Sequence, residues 1–162
     1  MQVDYLNYLP DELRATAIQL YFNSLKDKLE PILGSDDRAQ EALASHIATD
    51  KCLIAICDHK LVGIMGLQNN QGGFVNPSLK TMVRIYGFLG GILRMGCLAL
   101  ISHQTSADEL YVDGVAVAPE MRGKGIGSHL FGMLEQIALN EEIKIISLEV
   151  IDTNPRAKAL YE

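Results

Sequence analysis

Tryptophan is absent from the 162-residue chain, and aromatic residues make up 6% of it. Cysteine occurs three times, at Cys52, Cys57 and Cys97, an odd number with no C-x-x-C pair. That argues against a disulfide framework and for a reducing compartment. Basic residues are in deficit: 14 Lys and Arg against 20 Asp and Glu leave a net charge of −6. A nucleic-acid partner, which needs a basic face, is not expected. The four histidines (His46, His59, His103 and His129) lack metal-ligand spacing, so no metal is expected. An apolar run able to cross a bilayer is also missing. Leu79–Ile101 is interrupted by Arg84 and Arg94, with nine residues between them against the roughly twenty a span needs. Each arginine would cost about 2.5–3.5 kcal/mol at mid-bilayer. The segment is read as an amphipathic insert of a soluble domain, bordering the substrate site. The opening MQVDYLNYLPDE has neither a basic region nor an apolar core, and a cytoplasmic location is expected.

What is present suffices for one domain over residues 1–162. Its apolar content of 48% is that of an ordinary globular chain. The informative stretch is Leu110–Gly127, LYVDGVAVAPEMRGKGIG. Leu110, Val112, Val115 and Val117 are aliphatic or β-branched and predict a strand. Pro119 has no N–H for a ladder and ends it. Beyond the glycines, Ile126, Leu130, Met133, Leu134, Ile137 and Ala138 recur at helical spacing. Strand, glycine-rich loop and helix in that order make an anion site. The first N–H groups of a helix lack intrahelical partners, the dipole is positive there, and glycines let a phosphate approach. Arg122 and Lys124 add two cations.

The dinucleotide fingerprint G-x-G-x-x-G does not fit, because Ser128 stands where the third glycine belongs and the motif comes late in the chain. The Walker pattern fails at Ala118 and Gly125. The stretch does match R-x-x-G-x-G, through Arg122, Gly125 and Gly127. In this it resembles the GNAT superfamily of N-acetyltransferases. A second stretch resembles the same superfamily: LEVIDTNPRAKALYE carries Asn154, Ala157, Leu160 and Tyr161 in the family's order.

The rest of the chain reads in sequence as follows. Val3–Leu9 is a short strand, and Pro10 opens a helix to about Leu29 that Pro31 interrupts and Gly34 closes. Ser35 or Asp36 caps a second helix to about Ala48. Lys51–Cys57 and Lys60–Leu67 form a hairpin about Asp58-His59. Gln68–Ser78 is a loop, and Leu79–Ile101 is the inserted helix, its four glycines suggesting a break. Ile143–Ile151 is a strand, and Asn154 or Thr153 caps a last helix with Pro155 in its first turn.

The resemblance implies an α/β (α+β) fold with a mixed, mostly antiparallel central sheet flanked by helices. It implies that Arg122, Gly123, Lys124, Gly125, Ile126, Gly127 and Ser128 hold the pyrophosphate of acetyl-coenzyme A. Val115, Ala116 and Val117 would hold its pantetheine and acetyl group, and Asn154 and Ala157 would also bind the cofactor. The acceptor would be a primary amine of a small molecule or peptide. A lysine-like amine with pKa about 10.4 costs about 4–5 kcal/mol to deprotonate at pH 7, so a base is wanted. Strict alternation places Tyr111, Asp113, Val115 and Val117 on one face, unless the strand carries the family's bulge. Asp113 is the candidate base and Glu149 the alternative. The Val115 N–H would donate to the thioester oxygen, and Tyr161 would protonate the departing thiolate. The family continues past this point with Gly-Phe and further strands, so the C-terminus is expected to be shorter than usual: either the sequence is shortened, or a neighbouring chain, as in a homodimer, covers the exposed edge. The rival readings are a coenzyme A-binding module without turnover and a transferase of longer acyl chains.

Overall fold

A mostly antiparallel open sheet separates two apolar cores; across it the strands beginning at Val3, Cys52, Lys60, Glu109 and Ile145 lie in that order, with the short Gly72–Gly73 strand on the end of the third. The computed structural model describes residues 2–149, so Asn154, Ala157 and Tyr161 lie outside the described residues. The strands are β1 (Val3–Leu6), β2 (Cys52–Cys57), β3 (Lys60–Asn69), β4 (Gly72–Gly73), β5 (Glu109–Val117) and β6 (Ile145–Leu148). The helices are α1 (Arg14–Ser24), α2 (Lys26–Leu33), α3 (Asp37–Ala44), α4 (Leu79–Tyr86), α5 (Phe88–Ile101) and α6 (Ile126–Asn140).

Two apolar runs joined by Asp58 and His59 make the β2–β3 hairpin. Both turn residues have positive φ, 49° and 61°, the geometry whose twist matches the flanking strands. β3 is buried on both faces. Ile64 joins the core under α1, α3 and α4, and Val62 and Met65 join the core under α6. The expected loop after Leu67 begins as strand, because Gln68 and Asn69 pair with Gly73 and Gly72.

The helical N-terminal half breaks at a different residue from the one expected. Leu25 (φ −106°, ψ 15°) separates α1 from α2, and Pro31 is the sixth residue of α2. In so short a helix the missing N–H removes a single bond, and the break at Leu25 turns Leu29 and Leu33 into the core. α3 follows Asp36 but stops short of Ala48. There the backbone turns to the 74–76 segment instead: Ala48 N–H donates to the Phe74 carbonyl, and Asn76 N–H to that of His46, both at 2.9 Å.

The expected single inserted helix is two. Gly87, at φ 78°, ends α4 and α5 starts at once. α5 is apolar apart from Arg94, whose guanidinium lies 4.3 Å over the Tyr86 ring. Gly91, Met95, Leu98 and Ile101 turn inward, the last three against the α1-side core. Phe88, Leu89, Ile92, Leu93, Gly96, Ala99 and Leu100 are exposed and share about 140° of arc at 3.6 residues per turn. Leu89 and Leu100 are 81% and 86% exposed. Among the described residues no helix is long and apolar enough to cross a membrane.

Candidate active site

Two local features of β5 shape the site. The first is a bulge. Gly66 of β3 pairs with Gly114, but Leu67 pairs with Val112, so β5 carries one extra residue, Asp113. Alternation slips there by one. Asp113, Gly114 and Ala116 turn toward α1, while Leu110, Val112, Val115 and Val117 turn toward α6. The expected common face of Asp113, Val115 and Val117 is therefore split, as a bulge in this strand requires.

The second feature is an edge that is open among the described residues. β5 pairs in parallel with β6 from Glu109↔Ile145 to Val112↔Leu148, and there the described pairing stops. Ala118 N–H donates to the Val62 carbonyl at 2.9 Å. In an antiparallel pair such bonds alternate along the strand, so Val115 and Val117 turn their backbone groups the other way, into the open edge. The Val117 carbonyl there accepts from Arg122 Nε at 3.1 Å, which ties the glycine-rich loop to the end of the strand.

Arg122–Gly125 is exposed, and Ile126 is buried against the sheet. Gly123 and Gly125 have φ of 75° and 80°, and a Cβ on either would meet nothing within 4 Å. These glycines serve the backbone turn and leave an unobstructed approach from outside; protein packing does not require them. α6 begins at Ile126. The first bond back into it is from His129 N–H to the Gly125 carbonyl, at 2.9 Å. The N–H groups of Ile126, Gly127 and Ser128 thus have no acceptor within the helix. Loop, helix end and open edge form one continuous run, and the residues expected to hold a pyrophosphate and its attached chain lie along it.

On the α1 face, the bulge delivers Asp113 to a cleft of about 120 Å³. Its polar lining comes from Tyr21, Lys28, Gln68, Ser102, His103 and Asp113. The Tyr21 hydroxyl donates to Asp113 Oδ2. Its ring is 2% exposed and meets Phe74 edge-on, with centroids 5.2 Å apart. A Cβ on Gly66 would fall 2.9 Å from that ring, so glycine in β3 is what lets Tyr21 lie against the sheet. Burial, and then the Asp113 charge and hydrogen bond, hold the Tyr21 hydroxyl well above its ordinary pKa, so it stays a donor. Burial, followed by the charges of Glu149 and Asp113, also raises Tyr111. Glu149, the alternative base, is exposed and lies 3.5 Å from Lys28 Nζ.

A polar knot fixes the start of β5. Glu109 accepts from the Ser147 hydroxyl, from Ser106 N–H at 3.1 Å and from His103 Nε2 at 2.8 Å. The Ser147 bond leads in holding Glu109 down to about 2. The His103 ring stacks on Tyr111 at 4.2 Å. A second cleft, lined by Asp50, Lys51, Gln71 and Glu141 among others, lies by the start of β5 and includes none of the residues predicted for the site. Among the described residues no three His, Cys, Asp or Glu side chains are grouped to hold a metal ion.

The family model of the acetyltransferase (GNAT) family matches residues 17–162. The chain belongs to that family. Thialysine N-epsilon-acetyltransferase of Bos taurus is 38% identical over 53 residues, which is 33% of this chain and 31% of the relative. The match thus spans about a third of the length of that relative. Among solved structures, an N-acetyltransferase from Staphylococcus aureus Mu50 superposes with a TM-score of 0.67 at 18% identity, covering 98% of this chain and 87% of that one. PaiA N-acetyltransferase from Thermoplasma acidophilum, solved with coenzyme A, gives 0.58 at 16% identity, over 99% and 87%. At these identities the structures establish the fold.

Sequence reasoning placed the GNAT loop and strand but missed Tyr21, Lys28, Gln68 and His103. Tyr21 reads as one more apolar position of a helix. The available signal was Gly66, a glycine inside an apolar strand that marks the close approach of another group.

Proposed function

We propose that the protein transfers an acetyl group from acetyl-coenzyme A to a primary amine. The observation that carries this reading is the continuity of the open β5 edge with the Arg122–Ser128 loop. The positive-φ glycines with clear space above them, and the first N–H groups of α6, which have no acceptor within the helix, suit a pyrophosphate. When bound, acetyl-coenzyme A supplies an activated thioester: the acceptor nitrogen bonds its carbonyl carbon, the C–S bond breaks, the nitrogen loses a proton and the thiolate gains one.

This chain's residues take the remaining roles. Arg122 and Lys124 with the loop glycines hold the phosphates, and Val115, Ala116 and Val117 line the attached chain. The Val115 N–H, turned into the open edge, stabilises developing negative charge on the carbonyl oxygen, a contact worth a few kcal/mol. Asp113, in the acceptor cleft, accepts the amine proton directly or through water. Asn154 and Ala157 also contact the cofactor, and Tyr161 protonates the leaving thiolate. A cytoplasmic location and a homodimer belong to the same proposal.

Calorimetric titration with acetyl-coenzyme A and coenzyme A tests the binding half, and amine-dependent release of free thiol tests transfer. Binding without thiol release from any amine would make the protein a coenzyme A-binding module. In Tyr161→Phe, cofactor affinity should hold while turnover falls about ten- to a hundredfold, modestly because a thiol of pKa near 8.5 leaves with little help. Wild-type turnover across pH 6 to 9 would remove Tyr161 from the reaction.

A further inference from the structure

The cleft in front of Asp113 has an unequal lining. Leu25 and Leu29 at the α1–α2 junction, Leu43 of α3, Val75 and Pro77 after β4, and Leu98 and Ile101 of α5 make seven apolar positions. The polar side chains among them already have partners inside the protein. Gln68 Nε2 donates to the His103 carbonyl at 2.6 Å, and the Ser102 hydroxyl donates to the Ala99 carbonyl at 2.9 Å. His103 is bound to Glu109, Lys28 lies by Glu149, and the Tyr21 hydroxyl is given to Asp113. That leaves the Asp113 carboxylate, which accepts Tyr21 on one oxygen and has lone pairs to spare. The cleft thus offers one anionic anchor at one end and hydrocarbon elsewhere, with a cation, Lys28, in its wall.

From this we infer the class of acceptor: a primary monoamine on an apolar body, alkyl or arylalkyl, with its nitrogen at Asp113 and its hydrocarbon along Leu25, Leu29, Leu98 and Ile101. The inference rests on the acetyl-transfer reading above and narrows it. A second ammonium, as in a polyamine or an aminoglycoside, would be drawn from water onto aliphatic side chains, with no second carboxylate among the described lining residues to meet it, which is costly. Lys28 adds repulsion. A hydrocarbon tail loses nothing there and gains by burial.

The test is a homologous series assayed by acetyl-coenzyme A-dependent thiol release, with n-propylamine to n-heptylamine against the α,ω-diamines of the same lengths. Between propyl and hexyl, kcat/KM should rise about three- to fourfold for each methylene buried. n-Hexylamine should exceed hexane-1,6-diamine at least tenfold. Calorimetry of the same two amines with the coenzyme A-loaded protein should show the same order of affinity. Equal or better use of the diamine, or a flat response to chain length, overturns the acceptor class and leaves the acetyl-transfer reading standing. Thiol release from no amine at all overturns that reading and the inference with it.

Discussion

The Tyr21 hydroxyl donates to the Asp113 carboxylate, joining the first helix to the β5 bulge across 92 positions of sequence. The pair is held from both sides. Gly66 leaves room for the ring, and the bulge turns Asp113 toward it. Tyr21→Phe keeps the ring against Phe74 and removes the donor alone. The bond also fixes the orientation of the carboxylate, so its loss should lower kcat/KM about tenfold while coenzyme A affinity holds. Stability should fall by about 1–3 kcal/mol, the usual range for a hydrogen bond to a charged group. Wild-type kcat/KM in Tyr21→Phe would detach this contact from the reaction.

Gly125→Asp tests the anion site. Asp is among the side chains that tolerate the left-handed region, and the space above Gly125 is clear, so folding should survive. The new negative charge would stand where the phosphates belong, and coenzyme A affinity should fall at least tenfold, about 1.4 kcal/mol. Gly125→Asn, which adds similar bulk without charge, should lose less. Unchanged affinity in a folded Gly125→Asp protein would refute the site.

The two faces of α5 should respond in opposite ways to charge. Leu98→Lys puts an ammonium against the core and into the cleft, and should destabilise the fold by well over 2 kcal/mol. Leu93, 67% exposed, should accept lysine within about 0.5 kcal/mol in urea unfolding. If Leu93→Lys instead unfolded easily, or halved the sedimenting mass of the wild-type particle, the outer face would be covered in solution.

Glu109 sets an acid dependence whose sign follows from its partners. Its pKa is about 2 in the folded chain, below the ordinary carboxylate value of 4.5, chiefly through Ser147. A depressed carboxylate adds stability that is complete above its unfolded pKa and is lost as pH falls toward the folded one. The thermal midpoint should therefore drop between pH 4.5 and 2. Glu109→Gln should lower the midpoint at neutral pH and flatten that part of the curve. A wild-type slope in Glu109→Gln would assign the acid loss to other carboxylates.

The sequence by itself determined the elements governed by local chemistry. The strand ending at Pro119, the Arg122–Gly127 loop, the α6 periodicity and the Asp58-His59 hairpin depend on residues within a few positions of one another, and all were legible. So was the turn into α6, since a glycine loop at a helix end needs no distant partner. The cleft at Asp113 was decided by tertiary structure. Tyr21, Lys28, Gln68, His103 and Asp113 come from separate elements, and no spacing rule links them. Asp113 faces the cleft because β5 carries one residue more than β3 there, a property of the pairing that the sequence of β5 alone does not contain. The position of the α1–α2 break and the division of α5 into a packed and a bare face were likewise settled by what each segment packs against. Periodicity shows that a helix is apolar, and only its neighbours determine which side is buried.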